Sequence, residues 1–210
     1  MKTSAPLHLY TADTPNGQKI SIALEELGLA YGQTFVDLNK GEQKTPQFLR
    51  LNPNGKIPVL VDQTRDLVLF ESAVILTYLA ERQGALAGDS ADEQRVVQQW
   101  LCFQIASVGP MLGQLWWFRH GSTSDNREAL QRYTREALRL YGVVEQQLAE
   151  RPFIAGERYS IADIALFTWL RSHEELGLDL QPFPEVRDWL EQIAQRPAVR
   201  LGLARSGGYA

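Results

Sequence analysis

Cysteine is almost absent: Cys102 is the only one in 210 residues. A chain with one thiol cannot close an internal disulfide or run a dithiol cycle on its own sulfur, which excludes a Cys-x-x-Cys mechanism and fits a reducing compartment. Histidine is scarce too, and His8, His120 and His173 lack metal-ligand spacing, so no metal is assigned. There is no basic excess, since 21 Lys and Arg stand against 25 Asp and Glu, a poor match for nucleic acid phosphates. No stretch approaches the roughly 18 uninterrupted apolar residues of a membrane helix, and Met1-Lys2-Thr3-Ser4-Ala5-Pro6 shows neither the apolar core nor the cleavage pattern of a leader. The expectation is a cytoplasmic protein with no nucleic acid or membrane partner. Cys102, inside Trp100-Leu101-Cys102-Phe103, reads as a buried core residue.

What is present divides into two halves of different periodicity. Residues 7–10 and 30–36 read as strands. Between them, residues 17–28 carry Ile20, Ala23, Leu24 and Leu27 at the spacing of an amphipathic helix. That is a βαβ unit, whose strands are parallel. A short helix at residues 46–51 follows, then a hairpin of residues 57–61 and 67–70, then a helix over 71–82. From about residue 90 the strand signals stop, and helices are expected over 91–118, 127–150, 161–176 and 184–195. The fold class is α/β plus all-α: a β-α-β-α-β-β-α domain over residues 1–84, then an all-helical domain over residues 90–210. Ser160-Ile161-Ala162-Asp163 has the form of a capping box, with Tyr159 and Ile164 as its staple, and reads as a folding device rather than a site. The tail, residues 205–210, is expected to fray.

Three stretches can carry chemistry. Asn52-Pro53-Asn54-Gly55-Lys56-Ile57-Pro58 is a polar turn that delivers the chain to a proline at the head of a strand. A cis bond before Pro58 would leave the Ile57 backbone for an extended ligand; a trans bond would make it an ordinary strand start. Glu71-Ser72 opens a helix directly after a strand. A hydroxyl and free backbone N–H groups there suit a carboxylate, and Glu71 suits an ammonium, although the pair also makes a simple cap. Thr14-Pro15-Asn16-Gly17 joins the first strand to its helix with no cysteine or serine in it.

In their order and spacing these segments resemble the cytosolic glutathione transferases over most of the chain. Thr14-Pro15-Asn16-Gly17, Gly109-Pro110-Met111-Leu112-Gly113-Gln114 and Gln131-Arg132-Tyr133 are similar to the bacterial Nu class and its fungal nitrogen-regulator relatives. The resemblance implies a thioredoxin-like N-terminal domain that binds glutathione as co-substrate, a helical domain lining a second pocket, and a homodimer. It implies disulfide-bond reductase activity, with peroxidase activity toward organic hydroperoxides beside it. Partners implied are glutathione or glutathione disulfide, and a small disulfide, hydroperoxide or electrophile. Ile57 before a cis Pro58 would pair with the cysteinyl part, and Glu71 and Ser72 would hold the γ-glutamyl ammonium and carboxylate. Gln43, Lys56 and Arg132 would supply further polar contacts.

Such enzymes usually set a tyrosine, serine or cysteine beside the glutathione sulfur. Here Thr14 and Asn16 are the catalytic candidates, helped by the helix N-terminus, with Tyr10 a weaker alternative because its ring is expected to be packed. The alternative reading of this loop makes Asn16 only the helix N-cap and Thr14-Pro15 only a turn. Trp116 and Trp117 are candidates for the second-substrate pocket, or equally for helix-end packing, and would favour conjugation of glutathione to electrophiles. A glutathione-binding regulatory protein without catalysis is the alternative from another class.

Overall fold

The computed structural model describes residues 5–207. Of the expectations at the termini, residues 1–4 and 208–210 lie outside the described residues. The chain forms two compact units: one runs to Ala85 and takes in the chain again from Gln195, and the other is Leu86–Ala194.

The first unit is built on a four-stranded mixed sheet. Its elements are β1 (Leu7–Thr11), α1 (Pro15–Glu26), β2 (Tyr31–Phe35), a 3-10 turn (Glu42–Lys44), α2 (Pro46–Leu51), β3 (Val59–Asp62), β4 (Leu67–Phe70) and α3 (Ser72–Gln83). The sheet order is β2-β1-β3-β4. β1 and β2 are parallel, as a βαβ crossover requires, while β3 runs antiparallel to both β1 and β4. This is the thioredoxin-like arrangement. The expected elements are present, with ends shifted by one or two residues, as helix and strand ends commonly are.

The register decides which loops meet. Tyr10 lies opposite Val59, Val59 opposite Phe70, and Thr11 opposite Phe35. The end of β1, the head of β3 and the end of β4 therefore share one edge of the sheet. From that edge the chain enters α1 and α3, so the positive ends of two helices face the same side as Ile57-Pro58.

A helix not expected from the sequence, α9 (Pro197–Ser206), belongs to this first unit and not to the helical one. It packs against α1, where a Cβ on Gly202 would lie 2.6 Å from Ile22 Cα, so only glycine allows the approach. Arg196 pairs with Glu26 at 2.6 Å and Arg205 with Glu25 at 2.7 Å. The fraying expected from residue 205 is thus corrected for Arg205 and Ser206, and the expected helical domain over 90–210 stops short of residue 195.

The second unit contains α4 (Ala91–Phe103), α5 (Gly109–His120), α6 (Arg127–Leu148), α7 (Ile161–Leu170) and α8 (Pro184–Ala194). The single helix expected over 91–118 is instead two, separated by a π-helical turn at Gln104–Val108. Pro110 follows that turn; lacking an N–H, it cannot bond back to the carbonyl four residues earlier, and the wider turn absorbs the break. Cys102 is exposed, not buried as expected. The inward stripe runs through Val97 and Leu101, and one further residue rotates about 100° around the helix, which turns the thiol outward.

Asp62 anchors the far end of β3. It is buried and accepts from Thr64 N at 2.9 Å, from Thr64 Oγ1 at 2.6 Å, from Tyr78 Oη and from the Arg82 guanidinium. Burial pushes its carboxyl pKa up, but these hydrogen bonds and the Arg82 charge outweigh it and hold the value at about 2, against 3.8 ordinarily. A depressed folded value means that the contribution to stability is complete above 3.8 and is lost as pH falls toward 2. Asp62→Asn should therefore lower stability at neutral pH by about 2 kcal/mol. It should also flatten acid unfolding in that window. Wild type and variant losing stability in parallel below pH 4 would contradict this assignment.

Candidate functional site

The loop after β1 answers to two constraints. Thr14, not Asn16, is the N-cap of α1, and its Oγ1 accepts from Gly17 N at 3.2 Å. This corrects the alternative that made Asn16 the cap. Pro15 follows at the first helical position, where a missing N–H costs nothing. Gly17 is required by space: a Cβ there would lie 2.2 Å from Ala12 O and 2.4 Å from Thr11 Oγ1. A hydroxyl that accepts at a cap still has its own proton to donate, so Thr14 remains able to give a hydrogen bond.

Asn16 sits half-buried in the first turn of α1, and its Oδ1 accepts from Lys19 Nζ at 2.8 Å. The same Nζ donates to Ser72 Oγ at 3.1 Å. Two candidates 56 positions apart in the numbering are thus joined by one ammonium that sequence reasoning did not single out. Lys19 is only 1% exposed. Burial pushes its pKa down to about 7, while the negative charge of Glu71 acts the other way. A signal for it existed: Lys19 lies four residues before Ala23 and falls on the apolar stripe of α1, where a lysine has no place unless it is paired.

Ser72 opens α3 and is buried, and Glu71 before it is exposed, with φ 69° and ψ 113°. A non-glycine residue with positive φ is strained by roughly 1–3 kcal/mol, and such residues collect at ligand clamps. Glycine would relieve the strain, yet a carboxylate stands there. Its carbonyl still accepts from Ile75 N at 3.0 Å, which starts the helix.

The bond between Ile57 and Pro58 is cis. The ladder of β3 begins at Val59, so the Ile57 backbone lies before the first paired residue. The turn leading to it is held by buried Asn52, which donates to Lys56 O at 2.6 Å and accepts from Asn54 N at 2.9 Å. The Lys56 side chain is exposed. Gln43 is half-buried in the 3-10 turn; its Nε2 donates to Leu38 O at 3.3 Å, and its Oε1 is buried without a hydrogen-bond partner. The Tyr10 ring is packed as expected, edge-on to Phe48 and tilted against His8.

The remaining candidates lie in the second unit. Arg132 is exposed on α6. Trp116 and Trp117 end α5 with 43% and 48% of their surfaces exposed. Trp116 Nε1 donates to Glu175 Oε1 at 2.5 Å, and Trp117 stands edge-on to Phe118. Among the described residues no cluster of His, Cys, Asp and Glu could hold a metal ion, and no helix is long and apolar enough to cross a membrane.

A thioredoxin-like sheet with a cis proline heading β3 and an acidic-serine helix start beside it, followed by a helical unit, defines the glutathione transferase class of protein. The chain belongs to the glutathione S-transferase family: the N-terminal domain model matches residues 5–81 and the C-terminal domain model residues 108–197. The disulfide-bond oxidoreductase YfcG of Escherichia coli is 42% identical, with 95% of each chain covered. The transcriptional regulator URE2 of Saccharomyces cerevisiae is 33% identical over 92% of this chain and 67% of its own. Among solved structures, a glutathione transferase family member from Pseudomonas fluorescens with two glutathione bound superposes with a TM-score of 0.90 at 41% identity, covering 97% of this chain and 94% of that one.

Proposed function

We propose that the protein is a glutathione-dependent disulfide-bond reductase. The observation that carries this reading is the convergence of the Ile57 backbone, Glu71-Ser72 and the Thr14–Asn16 turn on one edge of the sheet, with no cysteine among them. Ile57, ahead of Pro58, would pair with the cysteinyl part of the tripeptide. Glu71 and Ser72 would hold its γ-glutamyl end, and Gln43 and Lys56 would add polar contacts. Thr14 and Asn16 would donate to the sulfur and so favour the thiolate. Arg132, Trp116 and Trp117 would serve the second substrate or second glutathione. The disulfide relative and the neighbour with two glutathione bound support a two-thiol cycle.

The chemistry balances without a protein thiol. One glutathione thiolate attacks a disulfide sulfur, forms a mixed disulfide and releases the first thiolate. A second glutathione attacks the mixed disulfide, giving glutathione disulfide and the second thiolate, and the two protons of the glutathione thiols end on the released groups. With an organic hydroperoxide, the thiolate would attack the outer oxygen, breaking the O–O bond and releasing the alcohol after protonation. A second glutathione would displace water from the resulting sulfenic acid to give glutathione disulfide. The proposal includes a homodimer in a cytoplasm that keeps glutathione reduced.

Two other readings have their own support. The exposed indoles of Trp116 and Trp117 favour conjugation to electrophiles, and the URE2 relative favours a regulatory glutathione-binding protein. Assays with hydroxyethyl disulfide and with a chlorinated nitrobenzene, each with glutathione, separate them. Reduction of the disulfide at the higher rate is the expected result. Fast conjugation without reduction would overturn the reductase reading, and tight glutathione binding with neither activity would favour the regulator.

A further inference from the structure

We propose that Lys19 is a positioning residue that sets the donor direction at both ends of the bound tripeptide, by donating at once to Asn16 Oδ1 and Ser72 Oγ. The inference rests on the glutathione reading above and deepens it. An ammonium carries only donors, so each group facing it must accept. For Asn16, the atom turned to Lys19 is then the amide oxygen, and Nδ2 is the atom turned away from Lys19. The amide of a free asparagine can turn over; this one has its orientation assigned by its neighbour. For Ser72, an Oγ that accepts from Lys19 has its own proton to give elsewhere, and a ligand carboxylate at the start of α3 is the acceptor it suits.

One buried side chain thus gives an N–H to the sulfur end and an O–H to the carboxylate end. Burial is what makes the device work. At 1% exposure Lys19 has no bulk water to share its protons with, and the hydrogen bonds to Asn16 and Ser72 help to hold it where an exposed lysine would wander among rotamers. Burial lowers its pKa to about 7, and the charge of Glu71 opposes that effect. An anionic ligand would add to the action of Glu71 and favour the ammonium form, so binding strengthens the arrangement that directs the ligand's partners.

The experiment titrates the thiol of bound glutathione by the ultraviolet absorbance of its thiolate, and measures kcat and KM with hydroxyethyl disulfide. Wild type, Lys19→Met, Asn16→Ala and the double variant are compared, after calorimetry has established glutathione binding to the wild type. Lys19→Met should raise the thiol pKa by about one unit, lower kcat about tenfold and raise KM for glutathione. The double variant should titrate as Asn16→Ala alone, because Lys19 acts through that amide. A structural role would lower folded yield without moving the titration. Should Lys19→Met fail to fold, Asn16→Asp keeps an acceptor for Lys19 while removing the N–H. It should raise the thiol pKa at least as far as Asn16→Ala does. Wild type binding glutathione with an unmoved titration in Lys19→Met, or additive shifts in the double variant, overturns the role of Lys19 alone, and an unmoved titration in Asn16→Asp overturns the Asn16 donor through which Lys19 would act. No binding by wild type overturns the glutathione reading itself.

Discussion

Asp163→Ala should lower the stability of the helical unit by about 4 kcal/mol. Asp163 is fully buried in the first turn of α7. Its Oδ2 accepts from Ser160 N and from Ser160 Oγ, both at 2.9 Å, while Oδ1 accepts from Ile154 N at 2.9 Å and Trp189 Nε1 at 3.2 Å. The capping box legible in the sequence is therefore half of its role. The other half ties the loop before α7 and the indole of α8 to the same carboxylate. Burial pushes the Asp163 pKa up, and the four donors pull against it. Truncation to alanine orphans three buried N–H groups, each at about 1–3 kcal/mol before relaxation. Asparagine keeps one oxygen but turns an NH₂ toward the Ser160 donors, so Asp163→Asn should lie between. Urea unfolding followed by tryptophan fluorescence measures both, and a loss below about 1 kcal/mol in Asp163→Ala would reduce the residue to an ordinary cap.

Asn16→Ala should lower kcat for disulfide reduction about a hundredfold, the order of effect seen when one donor aimed at developing charge is removed. The glutathione KM should change much less, because the thiolate forms while the rest of the tripeptide is held elsewhere. Ser72→Ala should show the opposite pattern, weakening binding with a smaller effect on turnover. Thr14→Ala mixes two effects. It would remove the second donor proposed above, and it also removes the N-cap bond to Gly17, which costs about 1 kcal/mol of stability. Comparison at equal folded concentration separates these. Equal losses of glutathione affinity in all three variants, with turnover of the bound enzyme intact, would mean that the turn only shapes the tripeptide site.

The site was legible in the sequence wherever a local rule reports it. Proline after a polar turn marks the head of β3, an acidic-serine pair marks the start of α3, and a turn without cysteine joins β1 to α1. Lys19 was not legible in the same way. Its place on the apolar stripe of α1 signalled a paired lysine, but the bond to Ser72, 53 positions away, cannot be read from a helix whose neighbours are unknown. Cys102 shows the reverse error: a thiol among apolar residues suggested a core position, and one step around α4 exposed it.

By itself, then, the sequence determined the two periodicities, the order of elements up to α3, the capping box at Ser160 and the lack of any protein dithiol. These are local quantities, written in spacing and residue type. Tertiary structure decided which segments share an edge of the sheet, that α9 returns to the first unit against α1, that Asp163 serves three elements rather than one, and that a single ammonium joins Asn16 to Ser72. Strand register and helix packing make those contacts, and both depend on partners far away along the chain.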